Sequence, residues 1–350
     1  MKKYLINISL LIFSSLFFLI LAEFIVRKII PANYWQIVDV SKDFWDIDNN
    51  LGWRNKKKLD IYFGNTNGEE INLKTNLDGI YPHDAKRYKK EIHKDIFRVA
   101  LLGDSTVMGR SVNEGKRLSD LLESKLNQQS KTKTYEVFSI AVEGYNIEQV
   151  YASHKFFQDS YRPDLIIYGI CHNDWDEIGA KLSNGFKKPI VKLNDKNEII
   201  LINAENDENL INQNNKYYSS NLFKRLVNNF AIYRIIRLYG IPYLERFNFV
   251  EINKNKDYLP ISRSANKEES LIIRNILNNM YKDMKGNILI YVFPDVFETD
   301  KDFIFSFKNG QYEIYQFRDR LLKLLKNDEV GKNYIEILPQ FIYQKGKNST

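Results

Sequence analysis

The run Phe97-Arg98-Val99-Ala100-Leu101-Leu102-Gly103-Asp104-Ser105 decides the fold. A short, nearly continuous apolar stretch that stops at a glycine is the pattern of a strand buried on both faces of a parallel sheet. Working outward, Arg117 to Asn127 has helical spacing, Tyr135 to Ile140 reads as a second strand, Ile147 to Gln158 as a second helix and Asp164 to Ile170 as a third strand. Much later, Glu268 to Lys285 reads as an amphipathic helix, Asn287 to Phe293 as a strand, Tyr312 to Lys326 as a helix and Tyr334 to Leu338 as a strand. Strands alternating with helices predict an α/β fold, a parallel sheet covered by helices on both faces.

Between these halves lies an insertion, about residues 180–265, rich in Asn and Lys. It carries a predicted hairpin, Ile190 to Leu193 and Glu198 to Ile202, around Asn194-Asp195-Lys196-Asn197. Ser220 to Tyr239 follows as a basic, aromatic, amphipathic helix. Three readings of that helix stay open: a lid, an element resting on a membrane surface, or a stripe that packs onto the domain.

Tyr4 to Ala22 is almost wholly apolar, and as a helix it would be about 28 Å long, enough to span a bilayer's hydrocarbon core. Lys2 and Lys3 precede it, which by the positive-inside rule leaves the N-terminus in the cytoplasm and the rest of the chain outside. A cleaved signal peptide is the rival; Ala22 could end one, but Ile20 is a poor small-residue match. The expected organisation is a single-pass anchor over 1–30, a stalk or collar of loops and short strands over 31–95, and a principal domain over 96–350 that contains the insertion.

Lys and Arg exceed Asp and Glu by 51 to 44, a net charge of +7, but the basic residues are interleaved with acids. That reads as a solvated surface, not a nucleic-acid footprint. A single cysteine, Cys171, excludes an internal disulfide, and no Cys/His spacing matches a metal site.

Three short motifs fall where strands end, and ligands of open parallel sheets bind outside the carboxyl ends of their strands. The first is Gly103-Asp104-Ser105. Its glycine permits a tight turn that projects the Ser105 hydroxyl beside helix-opening N–H groups; the plain alternative is a helix N-cap serine. The second is Gly144, in Ala141-Val142-Glu143-Gly144-Tyr145-Asn146, where a substrate oxygen can approach the backbone N–H; the alternative is a turn glycine. The third is His172-Asn173-Asp174, where Asn173 can offer its side-chain amide. Together, Ser105 N–H, Gly144 N–H and Asn173 Nδ2 would make an oxyanion hole, in which losing one donor typically costs on the order of 3 kcal/mol.

This ordered set of Gly-Asp-Ser, Gly and Asn-Asp resembles the block pattern of SGNH/GDSL hydrolases. Leu51-Gly52-Trp53-Arg54, Asn76-Leu77-Asp78-Gly79, Arg162-Pro163-Asp164 and Tyr334-Ile335-Glu336-Ile337-Leu338-Pro339 are similar to the membrane-anchored bacterial members. The resemblance implies a flavodoxin-like three-layer α/β/α fold. It also implies acyl-ester chemistry on lipid or acylated carbohydrate of the cell envelope, with Ser105 as nucleophile, Gly144 and Asn173 completing the oxyanion hole, and no cofactor. Hydrolysis is the expected activity; O-acyl transfer and a catalytically silent glycan-binding or partner-binding domain are the alternatives.

The family's general base comes from an Asp-x-x-His block after the last strand, and this sequence has no histidine beyond His172. His83, His93 and His154 read as surface histidines and His172 as pointing away from its neighbour Asn173. The expectation is therefore a chain that stops short of its histidine block.

Overall fold

The computed structural model describes residues 2–29, 44–66, 69–82, 94–175, 177–183, 186–205, 230–236, 266–294, 316–337 and 339. The chain forms two compact units, one of residues 1–39, 62–71 and 212–259, the other of residues 40–61, 72–211 and 260–350.

In the first unit, helix α1 (Lys2–Ile29) is long and apolar enough over Ile6–Ile29 to cross a membrane. Its large apolar side chains face outward, Phe13 being 72% and Phe24 60% exposed. A short helix, Ala231–Ile235, packs against it. The remainder of the amphipathic helix expected over Ser220 to Tyr239 lies outside the described residues.

The second unit is built on four parallel strands, β1 (Ile96–Leu102), β2 (Thr134–Ser139), β3 (Leu165–Ile170) and β4 (Ile288–Val292), in the order β2-β1-β3-β4. This is the flavodoxin-like doubly wound order, with its reversal between β1 and β3. Helix α2 (Ser105–Met108) opens directly from β1, and α3 (Leu118–Gln129) packs on β2. Helix α4 (Ile147–Tyr161) links β2 to β3 and packs against α5 (Lys267–Asp283), which leads into β4; α6 (Gln316–Leu325) also touches α5. Right-handed crossovers put α3 on one face of the sheet and α4 and α5 on the other.

The apolar runs form these strands because both faces are covered. Val99, Ala100, Leu101 and Leu102 on β1, Ile166, Tyr168 and Ile170 on β3, and Ile288 and Ile290 on β4 are each at most 1% exposed. The open edge of β2 is closed by Tyr81, whose N–H and C=O exchange hydrogen bonds with Ser139. Helix starts follow side-chain caps: Asn146 and Gln149 form a capping box on α4, and Asn266 and Glu269 form one on α5.

The hairpin expected in the insertion is present as Ile190–Leu193 paired with Ile199–Ile202, its turn held by Asn194 Oδ1 accepting from the N–H groups of Lys196 and Glu198. The strand expected at Tyr334 to Leu338 is reduced to a parallel bridge of Tyr334 with Ile290, after a 3-10 turn at Glu329–Asn333. Arg318 donates to both the Tyr334 hydroxyl and the Glu336 carboxylate, which ties this segment to α6, and Leu338 lies outside the described residues. His154 is likewise no surface residue: it is 2% exposed, and its Nε2 lies 3.2 Å from Asp283 Oδ2.

Candidate active site

The three motifs leave the carboxyl ends of β1, β2 and β3, and two of them flank the reversal point between β1 and β3. The turn after β1 requires glycine. Gly103 has φ +153°, and a Cβ there would lie 2.2 Å from Val107 Cγ2 and 2.8 Å from the Gly169 carbonyl oxygen of β3. The chain therefore enters α2 pressed against the neighbouring strand.

Asp104 caps α2, its Oδ1 accepting from Thr106 N at 2.8 Å. The N-cap alternative for Ser105 is thereby excluded. Ser105 is the first helical residue, half-buried, and among the described residues nothing hydrogen-bonds its hydroxyl.

The Asp104 carboxylate does more than cap. Oδ1 also receives Cys171 Sγ at 3.3 Å, and Oδ2 receives Asn173 Nδ2 at 3.4 Å. One buried carboxylate thus joins the loop after β1 to the loop after β3. Asn173 sits in a 3-10 turn, His172–Trp175, closed by Asp174, whose Oδ2 accepts from Cys171 N and from the Tyr168 hydroxyl. Burial raises the Cys171 thiol pKa well above its ordinary value, with the Asp104 and Asp174 carboxylates adding to the shift, so Cys171 acts here as a neutral donor.

The loop after β2 joins the same group. Val142 N donates to the Gly103 carbonyl at 3.3 Å, and Arg110 forms an ion pair with Glu143, the residue before Gly144. Gly144 has φ +77°, a conformation that favours glycine and turns the chain sharply before α4. Burial lifts the Glu143 carboxyl above the usual range; the Arg110 guanidinium pulls it back and the Asp104 charge adds to the rise.

Residues 44–61 and 72–82 supply the support beneath this turn, a role that composition did not disclose. Trp53 is fully buried; its Nε1 donates to Glu143 O at 3.0 Å, and its own carbonyl accepts from the Tyr145 hydroxyl at 2.5 Å. Asn55 Nδ2 donates to Ala141 O, and Gln149 Nε2 donates to Leu51 O. Next to the Gly52 strand, Glu148 and Lys188 form a wholly buried ion pair at 2.6 Å. Glu148 also accepts from Val191 N and Gly179 N, which fixes the start of the insertion to α4.

The roles of Asp104 and Trp53, which stand in the quoted motifs, and the Glu148–Lys188 pair were missed in the sequence. Only the capping position of Asp104, one residue before a helix, carried a local signal. His154 is committed to Asp283, and His83 and His93 lie outside the described residues.

No protein-family model matches the sequence, and no curated protein does. Among solved structures the chain is similar to two mutants of the esterase AlinE4, one altered at an aspartate and one at a serine. Each is 14% identical with a TM-score of 0.25, over 67% of this chain and 96% of that chain, a likeness too slight to bear on chemistry.

Proposed function

We propose that the protein is a membrane-anchored SGNH-type ester hydrolase that removes acyl groups, acetyl above all, from envelope carbohydrate or lipid. Ser105 is its nucleophile, and the Ser105 N–H, the Gly144 N–H and the Asn173 amide receive the oxyanion. The observation that carries this reading is the Asp104 carboxylate, which caps the Ser105 helix and holds the Asn173 amide at the sheet's reversal point.

In the reaction, Ser105 Oγ attacks the ester carbonyl carbon while its proton passes to an imidazole base. The carbonyl oxygen takes up the negative charge opposite the three donors. Collapse of the tetrahedral intermediate expels the sugar or lipid alcohol, which receives the proton, and leaves an acyl-Ser105. Water then repeats the sequence and releases the acid. The resemblance assigns the base to an Asp-x-x-His block. Helix α1 supplies the anchor, with the domain on the non-cytoplasmic side.

Hydrolysis of acetylated glycans by the protein purified from its native membrane, compared with Ser105→Ala, tests this reading. Turnover lost in the variant supports it, and turnover retained there refutes it. Acylated acceptor in place of free acetate would assign acyl transfer. Glycan binding that survives Ser105→Ala, with no turnover in either protein, would assign a silent binding domain.

A further inference from the structure

Glu23 is the acidic residue in the apolar helix stretch Ile6–Ile29 of α1, and it is 8% exposed among apolar neighbours that face outward. Its carboxylate is fully used. Oε1 accepts from Ala231 N at 2.8 Å and from Arg27 Nε at 2.7 Å, and Oε2 accepts from Ile232 N at 3.1 Å. A carboxylate of α1 thus binds the first N–H groups of the helix Ala231–Ile235, leaving neither the charge nor those donors unsatisfied.

Depth follows from length. At about 1.5 Å per residue, the stretch from Lys3 to Glu23 covers about 30 Å, the thickness of a bilayer's hydrocarbon core. With Lys3 at one boundary, Glu23 lies at the other, and so do the backbone groups it holds. Tyr233 and Ile236, on the short helix that Glu23 holds at that level, are 39% and 52% exposed. Tyrosine is the residue type enriched there.

We infer that residues 230–236 form a membrane-interface element, held by Glu23 at the headgroup boundary on the far side of the anchor, with the phospholipid bilayer as the partner of Tyr233 and Ile236. This rests on α1 spanning the membrane and is independent of the Ser105 chemistry.

The test uses the full chain in phosphatidylcholine–phosphatidylglycerol nanodiscs, with nitroxide labels on cysteines placed one at a time by Phe13→Cys, Tyr233→Cys, Ile236→Cys and Lys196→Cys. Cys171 is buried and escapes labelling. Relative accessibility to oxygen and to an aqueous nickel chelate reads depth. The expected result is a deep label at 13, headgroup-level labels at 233 and 236, and an aqueous label at 196. Adding Glu23→Ala should move the 233 and 236 labels toward the aqueous value, and in the unmutated protein the amides of 231 and 232 should be protected from hydrogen exchange. A deep label at 13 with aqueous labels at 233 and 236 overturns the inference alone; an aqueous label at 13 overturns the anchor as well. Labels at 233 and 236 unmoved by Glu23→Ala, or fast exchange at 231 and 232, remove Glu23 as the tie.

Discussion

Asn173 Nδ2 donates to Asp104 Oδ2 across 3.4 Å, so the amide that follows β3 is oriented by the carboxylate that caps the helix of Ser105. An amide has two N–H donors, and this bond occupies one. In the proposed mechanism the other meets the substrate oxygen. Asn173→Ala should lower kcat by on the order of 10²–10³ with KM little changed, because the donor acts chiefly on the transition state. Steady-state kinetics on a soluble acetyl ester checks this.

Asp104→Asn separates capping from orientation. Its carbonyl oxygen can still accept from Thr106 N, so stability should fall by less than the roughly 1 kcal/mol expected for Asp104→Ala at an N-cap. Its amide nitrogen cannot accept from Asn173, so turnover should drop toward that of Asn173→Ala. Thermal melts and kcat measured on the same samples separate the two effects.

The buried Glu148–Lys188 pair makes a stability prediction. Lys188→Met leaves a buried carboxylate with its strongest donor removed, and breaking such a pair typically costs about 3–5 kcal/mol. Adding Glu148→Met should recover part of that loss, since the uncompensated charge is gone while Val191 N and Gly179 N lose their acceptor. Urea unfolding of the single and double variants reads the difference.

Asp328 accepts from Arg274 Nε and Nη2, both at 2.7 Å, and this guanidinium holds its carboxyl below the usual aspartate range against a smaller opposing effect of burial. A carboxyl depressed in the folded state stabilises above its unfolded pKa, and that contribution is lost as pH falls through the folded value. Wild-type stability should therefore decline more steeply than that of Asp328→Asn below about pH 4. Denaturant midpoints measured across that range test the sign.

The α/β alternation was readable because β1, β3 and β4 are buried on both faces, which writes nearly continuous apolar runs into the sequence, broken in β1 only by Arg98. Gly103 and Gly144 were readable because a turn leaves a local mark. The support beneath the site was not. Trp53 meets Glu143, and Glu148 meets Lys188, across chain separations that no periodicity reports. His154 was misread for a related reason: it becomes a buried residue only when α5 brings Asp283 against α4. The strand expected at Tyr334 to Leu338 is shorter than its apolar pattern suggested, because the chain leaves the 3-10 turn at Asn333 and, among the described residues, pairs with Ile290 only through Tyr334 and Ile335.

The most direct measurement is the intact mass and peptide map of the protein purified from its native membrane, trapped by acid quench during incubation with an acetyl-ester donor. The account predicts an acetyl group on the peptide bearing Ser105, absent in Ser105→Ala and accumulating when the deacylating water step is slowed. Acetyl ester turnover with no adduct on Ser105, and with Ser105→Ala equally active, would contradict it.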